Sequence, residues 1–281
     1  MYKGHITDNH MHIDPINGLG LDAVKQFTVA GGTDIILIAK TARDWGGDAT
    51  ESKDFANAYE KTIDFADKVS KETDARAYPV VGFHPSEFIG LAELHGLQRA
   101  MDISYELMDV MENLFSEGRI YAIGEVGRPH FPVSDDILRA SNEILCDFLR
   151  LSSRLDCPLQ LHTENFNEEK FEELSKMIKR NGNPNKVIKH FSPPMPNKAQ
   201  ECGVFPSIVS SKDSIKKAIS ESSRFLMETD YIDDKTRPGA VLGPKTVPKR
   251  TRQFLDSGIF TEEDAAKIHE DNISYLYGIS F

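Results

Sequence analysis

The run Asp34-Ile-Ile-Leu-Ile-Ala39 is short, apolar and rich in branched side chains, and an amphipathic stretch from Ser52 to Glu72 follows it. The same alternation recurs along the chain and is typical of βα units with a parallel sheet. It predicts eight strands, at residues 4–9, 34–39, 75–82, 120–123, 159–161, 186–189, 203–205 with 208–209, and 224–227. Helices are predicted at 20–30, 52–72, 97–117, 134–155, 167–179, 197–202 and 212–221, with a tail helix at 248–278.

The length and composition of the chain favour one large barrel. The chain has 281 residues, of which 40% are hydrophobic and 27% charged, as in ordinary globular proteins. A barrel of eight strands and eight helices takes roughly 250 residues. We therefore predict an α/β fold, a (β/α)8 TIM barrel, in a single domain over residues 1–281.

The sequence also indicates a cellular location. The first residues lack a basic region followed by an apolar stretch, and no apolar run approaches the roughly 20 residues that span a bilayer. Cys146, Cys157 and Cys202 are an odd number without CxxC spacing, which argues against disulfides and a thiolate metal site. We expect a cytoplasmic protein with no membrane association and no obligate protein partner.

The net charge of −11 argues against unspecific adhesion to nucleic acid, because such adhesion needs a basic face that displaces counterions from the phosphates. This charge does not exclude a local phosphate site.

Six side chains that can bind metal stand at or just beyond the C-terminal ends of different predicted strands. They are His10, His12, Glu125, His162, His190 and Asp230. In a parallel barrel these ends converge on one face, where barrel enzymes have their active sites. In His10-Met-His12 the alternation of side chains places both imidazoles on one side. We expect the flanking carboxylates of Asp8 and Asp14 to fix the tautomers of these imidazoles.

The other four residues have complementary chemistry. Glu125 lies between glycines in Ile123-Gly-Glu-Val-Gly127, where little packing is gained, and suits a ligand that bridges two ions. His162 and His190 end apolar strands, and neutral imidazoles suit zinc or manganese. Asp230 can bind metal and accept a proton from the attacking water. Taken singly, each also fits a structural role: a carboxylate in a glycine turn, a hydrogen-bonded core histidine or a helix cap.

The residues around these positions suggest substrate contacts. His84, in Gly82-Phe-His-Pro85, ends a strand but is not needed to complete two metal sites, so we predict that it contacts substrate. Lys40, Arg43 and Trp45 follow the second strand on the same face, where either substrate contact or loop packing would explain them.

In combination and order these motifs resemble the TatD-related metal-dependent deoxyribonucleases, within the wider amidohydrolase-like barrel superfamily. The resemblance runs almost end to end and rests on Asp8-Asn-His-Met-His-Ile-Asp14, Gly82-Phe-His-Pro85, Ile123-Gly-Glu-Val-Gly127, Pro158-Leu-Gln-Leu-His162, His190-Phe-Ser192, Glu228-Thr-Asp230 and Asn272-Ile-Ser-Tyr-Leu-Tyr-Gly-Ile279. It implies hydrolysis of phosphodiesters in DNA with one or two divalent ions (Zn, Mg or Mn). The implied ligands are His10, His12, Glu125 and Asp230 for the first ion, and Glu125, His162 and His190 for the second.

The chain also departs from the family pattern near the predicted substrate site. Arg128-Pro129-His130 stands where the family usually has Leu-Asp-Tyr, and Glu164 stands where an Arg is frequent. We expect Arg128 to restore positive charge for substrate binding. Lys245, with Gly243 and Pro248, matches a family segment of similar spacing and is a second candidate for substrate binding.

Three functions remain open on the sequence alone. The preferred one is a phosphodiesterase or deoxyribonuclease in which Asp230 and Glu125 are catalytic. The alternative is hydrolysis of a carbonyl substrate, an ester, lactone, amide or aminoacyl-tRNA ester, which the acidic net charge and Glu164 favour. The third is a metal-bound scaffold without turnover, which would not need a carboxylate such as Asp230 beside an open coordination position.

Overall fold

A computed structural model describes residues 2–281, whose nine strands form one parallel sheet curled as a TIM barrel. The strands are β1 (Thr7–His12), β2 (Asp34–Ile38), β3 (Arg76–Val81), β4 (Ala122–Gly127), β5 (Leu159–His162), β6 (Val187–Lys189), β7 (Val204–Val209), β8 (Leu226–Glu228) and β9 (Tyr231–Ile232). Strands β1 to β8 pair in chain order, and β9 pairs with β1. The predicted fold class is confirmed.

Helices separate the strands, and most of them match the predictions. They are α1 (Leu21–Val29), α2 (Ser52–Glu72), α3 (Pro85–His95), α4 (Leu97–Ser116), α5 (Asp135–Leu155), α6 (Glu168–Asn181), α7 (Pro196–Glu201), α8 (Lys212–Glu221), α9 (Thr246–Asp256), α10 (Glu262–Ala266) and α11 (Asn272–Tyr277). A π-helical segment, Lys267–Asp271, joins α10 to α11.

Two features of the helices differ from the predictions. Helix α3 was not predicted, because Gly90 in its middle weakens the helical pattern; Pro85 starts the helix and His84 caps it. The predicted tail helix at 248–278 is interrupted between α9 and α10, where Gly258 has a φ of +70°. Such a φ suits glycine, which ends helices in this conformation.

Strands β1 and β8 are joined by a buried carboxylate. Asp8 of β1 accepts hydrogen bonds from the backbone N–H (3.1 Å) and the hydroxyl (2.8 Å) of Thr229, which directly follows β8. Because Asp8 lies two residues before His10 and Thr229 one residue before Asp230, this contact brings His10 and Asp230 close together. Among residues 2–281 the structure has no helix that is long and apolar enough to cross a membrane.

Candidate metal centre

The two histidines of β1 face the same point at the mouth of the barrel. Their Nε2 atoms are 3.1 Å apart, while Met11 between them is fully buried in the core on the other side. Both Nε2 atoms lie 3.9 Å from Oδ1 of Asp230. The backbone of Asp230 has a φ of +50°, a left-handed conformation that Asp tolerates better than most residues.

Glu125 stands between two groups of imidazoles. Its Oε2 lies 3.6 Å from Nε2 of His10 and 3.4 Å from Nε2 of His12. Its Oε1 lies 2.7 Å from Nδ1 of His162 and 3.4 Å from Nε2 of His190. One carboxylate oxygen thus faces each pair, which is the arrangement expected of a bridging ligand.

The glycine before Glu125 lets the strands approach closely. A Cβ on Gly124 would lie 2.6 Å from Cβ of Gln160 on β5, so only glycine fits without displacement. This is the close approach that the Gly-Glu-Val-Gly motif suggested. It brings β4 and β5 together at the level of Glu125 and His162.

The electrostatics of these residues favour a bound cation. Burial opposes the charged forms, but the neighbouring imidazoles of His10, His162 and His190 hold the pKa of Glu125 well below its usual range. Burial alone would lower the pKa of His10, yet Glu125 raises it to about 10. Carboxylates and imidazoles that lie 3–4 Å apart around one point have the chemistry and spacing of ligands to a small ion with bonds of about 2.0–2.2 Å. The donor set therefore fits divalent metal.

The structure also adds residues to the predicted set. Within the part of the chain that it describes, three groups have donor atoms within 4.8 Å of one another: His10, His12 and Asp230; His10, His190 and Glu228; and His84, Glu125 and His162. Glu228 is fully buried, and its Oε1 lies 3.0 Å from Nδ1 of His190. The sequence placed Glu228 inside a family motif without assigning it a role.

His84 lines a cavity of about 260 Å³ that opens on this centre, together with His12, Lys40, Glu125, Asp230 and Arg237, among others. Nδ1 of His84 accepts a hydrogen bond from the backbone N–H of Ser86, at 3.1 Å. Burial lowers the pKa of His84 to about 3, so its ring is neutral and the proton is on Nε2. His84 is therefore a hydrogen-bond donor beside the centre.

Trp45 is buried in the core, where loop packing explains it.

A second cavity, of about 250 Å³, lies on the other side of His162, His190 and Asp230. It is also lined by Lys189, which is 1% exposed. The Lys189 ammonium donates to the carbonyl of His190 at 2.5 Å and has no carboxylate within 4 Å among the residues that the structure describes. Burial lowers the pKa of Lys189 to about 8. Sequence reasoning missed this residue.

His130 lines the second cavity as well. Its Nδ1 lies 2.9 Å from Nε2 of His162. On the sequence alone His130 was noted only as a departure from the family pattern.

Two residues predicted to contact substrate lie outside both cavities. Arg128 is 5% exposed, and its guanidinium donates to Glu164 at 2.6 and 2.8 Å and to Glu173 at 2.6 Å. These acceptors satisfy the charge, and Arg128 lines neither cavity. Glu164 is likewise neutralised rather than directed at substrate. Lys245 is exposed at the start of α9 and lines neither cavity.

The prediction that Asp8 and Asp14 fix the histidine tautomers is also wrong. Asp8 closes the barrel through Thr229, and Asp14 accepts from Lys40 at 2.7 Å and from loop backbone. Nδ1 of His10 instead faces Oε1 of Gln160, at 2.8 Å. The cause is that side chains alternate along β1, so Asp8 and His10 share the barrel interior while the Asp8 carboxylate is already occupied by Thr229.

Comparison with known proteins finds related sequences over nearly the whole chain. The family model described as TatD related DNase matches residues 7–278. An uncharacterized protein of Methanocaldococcus jannaschii is 40% identical over 275 residues, which are 97% of this chain and 95% of that protein.

Two solved structures share the fold. A TatD homolog of Escherichia coli K12 has a TM-score of 0.65 and 18% identity, with 98% of each chain covered. A mutant phosphotriesterase-like lactonase of Deinococcus radiodurans has a TM-score of 0.67 and 15% identity, with 99% of this chain and 97% of that one covered. At these identities the likeness shows the fold alone.

Proposed function

The chain belongs to the TatD-related DNase family, a family of metal-dependent hydrolases, and we propose that it cleaves phosphodiesters, with DNA as the proposed substrate. The single observation that supports this most is the position of Glu125, with one oxygen facing His10 and His12 and the other facing His162 and His190. Two divalent ions held by these residues would supply the charge stabilisation that in-line displacement at phosphorus needs.

The proposed ligands are His10, His12, Glu125 and Asp230 for one ion and Glu125, His162 and His190 for the other. Divalent ions bound there would lower the pKa of a water from about 15.7 toward 7 and stabilise charge on a phosphoryl oxygen. Zn, Mn and Mg all remain candidates, because ligands of this kind accept several divalent ions.

The protein's own side chains would complete the reaction. Burial raises the pKa of Asp230, which lies at the junction of both cavities and would accept the proton of the attacking water. His84 would donate a hydrogen bond from Nε2 to a substrate oxygen.

An anionic substrate is favoured by the cations that line the cavities. Lys189 lines the second cavity and has no carboxylate partner within 4 Å among residues 2–281. The exposed Arg237 lines the first cavity, as does Lys40, whose ammonium pairs with Asp14 at 2.7 Å. We add Lys189 and Arg237 to the proposed substrate contacts. The pairing of Glu164 with Arg128 also removes one reason to favour a neutral carbonyl substrate.

An activity assay with two classes of substrate tests the proposal. Protein loaded in turn with Mn²⁺, Zn²⁺ and Mg²⁺ would be given bis(p-nitrophenyl) phosphate and a 5′-labelled single-stranded oligonucleotide. p-Nitrophenyl acetate and a lactone would be given in parallel. We expect turnover of the phosphodiesters and its loss in His190→Asn, with His95→Asn as control because His95 is exposed on α3. Turnover of the carbonyl substrates alone would favour the alternative hydrolase, and no turnover of either class would favour a binding scaffold.

The proposed location is the cytoplasm. Cys146, Cys157 and Cys202 are all unpaired, as expected in a reducing compartment.

A further inference from the structure

A continuous line of buried hydrogen bonds runs below the candidate metal centre from His10 to Glu228. From Nδ1 of His10 the steps are Gln160 Oε1 (2.8 Å), Gln160 Nε2 to the Tyr277 hydroxyl (2.7 Å), that hydroxyl to Asn9 Oδ1 (2.7 Å) and Asn9 Nδ2 to Ser207 Oγ (2.9 Å). The last step is from Ser207 Oγ to Glu228 Oε2. Tyr277 is 6% exposed and the other members are fully buried. We call this line the His10–Glu228 relay.

The direction of each hydrogen bond in the relay follows from its carboxylate end. The ionised form of Glu228 only accepts hydrogen bonds, and its Oε1 already accepts from the backbone N–H of Phe191 at 2.8 Å. Ser207 therefore donates its proton to Oε2, and its oxygen accepts from the Asn9 amide NH₂. The amide oxygen of Asn9 must then face Tyr277, whose hydroxyl donates to it.

The same logic fixes the protonated nitrogen of His10. Because the Tyr277 hydroxyl donates to Asn9, its oxygen accepts from the NH₂ group of Gln160. The carbonyl oxygen of Gln160 is thereby turned toward Nδ1 of His10. An amide oxygen cannot donate, so Nδ1 must hold a proton. The lone pair of the neutral ring is then on Nε2, the atom that faces His12 and Glu125.

We propose that Asn9, Gln160 and Tyr277 are positioning residues that hold the proton of His10 on Nδ1 and so present Nε2 to the metal centre. The metal part of this inference rests on the proposed function, whereas the position of the proton does not. Tyr277 comes from α11 at the far end of the chain, 268 residues from Asn9. Helix α11 thus affects the protonation of His10 through Gln160, without contacting the metal centre itself.

The relay also reaches a second imidazole of the centre. The ring of His190 stacks on that of His10 with centroids 3.8 Å apart. Nδ1 of His190 lies 3.0 Å from Oε1 of Glu228, the carboxylate that sets the direction of the relay. One buried carboxylate therefore ends the relay from His10 and also lies beside the imidazole that stacks on His10.

Nitrogen-15 NMR of histidine-labelled protein tests the proposal in the metal-free and zinc-loaded states, with His10 assigned from a His10→Gln sample. We expect a downfield, slowly exchanging proton coupled to Nδ1 of His10 in both states. Tyr277→Phe removes the hydroxyl from the middle of the relay and should speed exchange of this proton at least about tenfold. By analogy with other residues that orient ligand histidines, it should weaken zinc binding roughly 10–100-fold. Ser207→Ala, which breaks the relay at its other end, should do the same.

Tyr275→Phe is the matched control, because Tyr275 lies on the same helix, is 55% exposed and is not part of the relay. It should change neither exchange nor affinity. A His10 ring that holds a proton on Nε2 but none on Nδ1 in the metal-free protein would mean that the relay runs in reverse and would overturn the proposal. Unchanged exchange and affinity in a folded Tyr277→Phe protein would overturn it as well. If the unmodified protein binds none of Zn²⁺, Mn²⁺ and Mg²⁺, the proposed function fails, while the NMR result still decides the position of the proton.

Discussion

Replacing Arg128 with methionine separates its structural role from the substrate role that the sequence suggested. The change keeps much of the side-chain volume but removes the cation from Glu164 and Glu173, which are 24% and 43% exposed. Breaking a fully buried ion pair costs about 3–5 kcal/mol. These carboxylates are partly solvated, and Lys170 lies 3.3 Å from Glu164. We therefore expect a loss of about 2–3 kcal/mol.

For a domain of this size such a loss lowers the melting temperature by roughly 3–5 °C. Circular dichroism melts would measure the shift, and assays well below the melting temperature would give KM for bis(p-nitrophenyl) phosphate. Arg139→Met is the control, because Arg139 forms an exposed ion pair on α5. We expect KM to be unchanged in both variants. A raised KM for Arg128→Met with an unchanged melting temperature would refute the structural role and restore the substrate role.

Four further results are expected. Asp230→Asn should lower kcat roughly 10²–10⁴-fold with metal retained, as measured by kinetics and elemental analysis; unchanged turnover would exclude Asp230 as the proton acceptor. Adding Mn²⁺ at about 100 times its Kd to chelator-treated protein should stabilise the fold by about 2.7 kcal/mol in thermal melts, but not in His190→Asn. Burial opposes the charged form of Glu164, but Arg128 holds its folded-state pKa below the ordinary value of 4.5. The stabilisation that the ionised Glu164 contributes should therefore be present above about pH 4.5 and be lost as the pH falls through the folded-state pKa. Urea unfolding across this pH range, with the unmodified protein and Arg128→Met compared, would measure it. Lys189→Met should raise KM for the phosphodiester roughly tenfold but not KM for p-nitrophenyl acetate, and an equal change for both would contradict anion binding.

The barrel was predictable from sequence because its strands are short apolar runs with long amphipathic helices between them. All eight predicted strands are present, and their C-terminal ends bring the six predicted ligand residues to one face. Helix α3 was missed because a glycine lies in its middle. The short strand β9 was missed because it has only two residues, fewer than any alternating pattern needs.

Partners of the site residues could not be predicted, since they depend on register between strands that are distant in sequence. Arg128 shows this limit. Its charge suggested a phosphate contact, but the structure places two carboxylates, from Glu164 and from Glu173 on α6, within 2.6–2.8 Å of its guanidinium. A charged side chain beside a predicted site contributes to binding only if no nearer partner neutralises it.

Polar residues inside the predicted apolar strands indicate functional positions, and the sequence analysis did not use them. Gln160 interrupts the apolar run before His162, and Lys189 interrupts the one before His190. A polar side chain in a strand buried on both faces costs free energy unless it has a partner or a task. Gln160 has its partners in the His10–Glu228 relay, whereas Lys189 has a backbone carbonyl and the face of the Phe166 ring. A polar residue inside an apolar strand therefore has two different roles here: Gln160 orients a histidine, and Lys189 is a buried cation available to an anionic substrate. Only the contacts in the folded protein distinguish these roles.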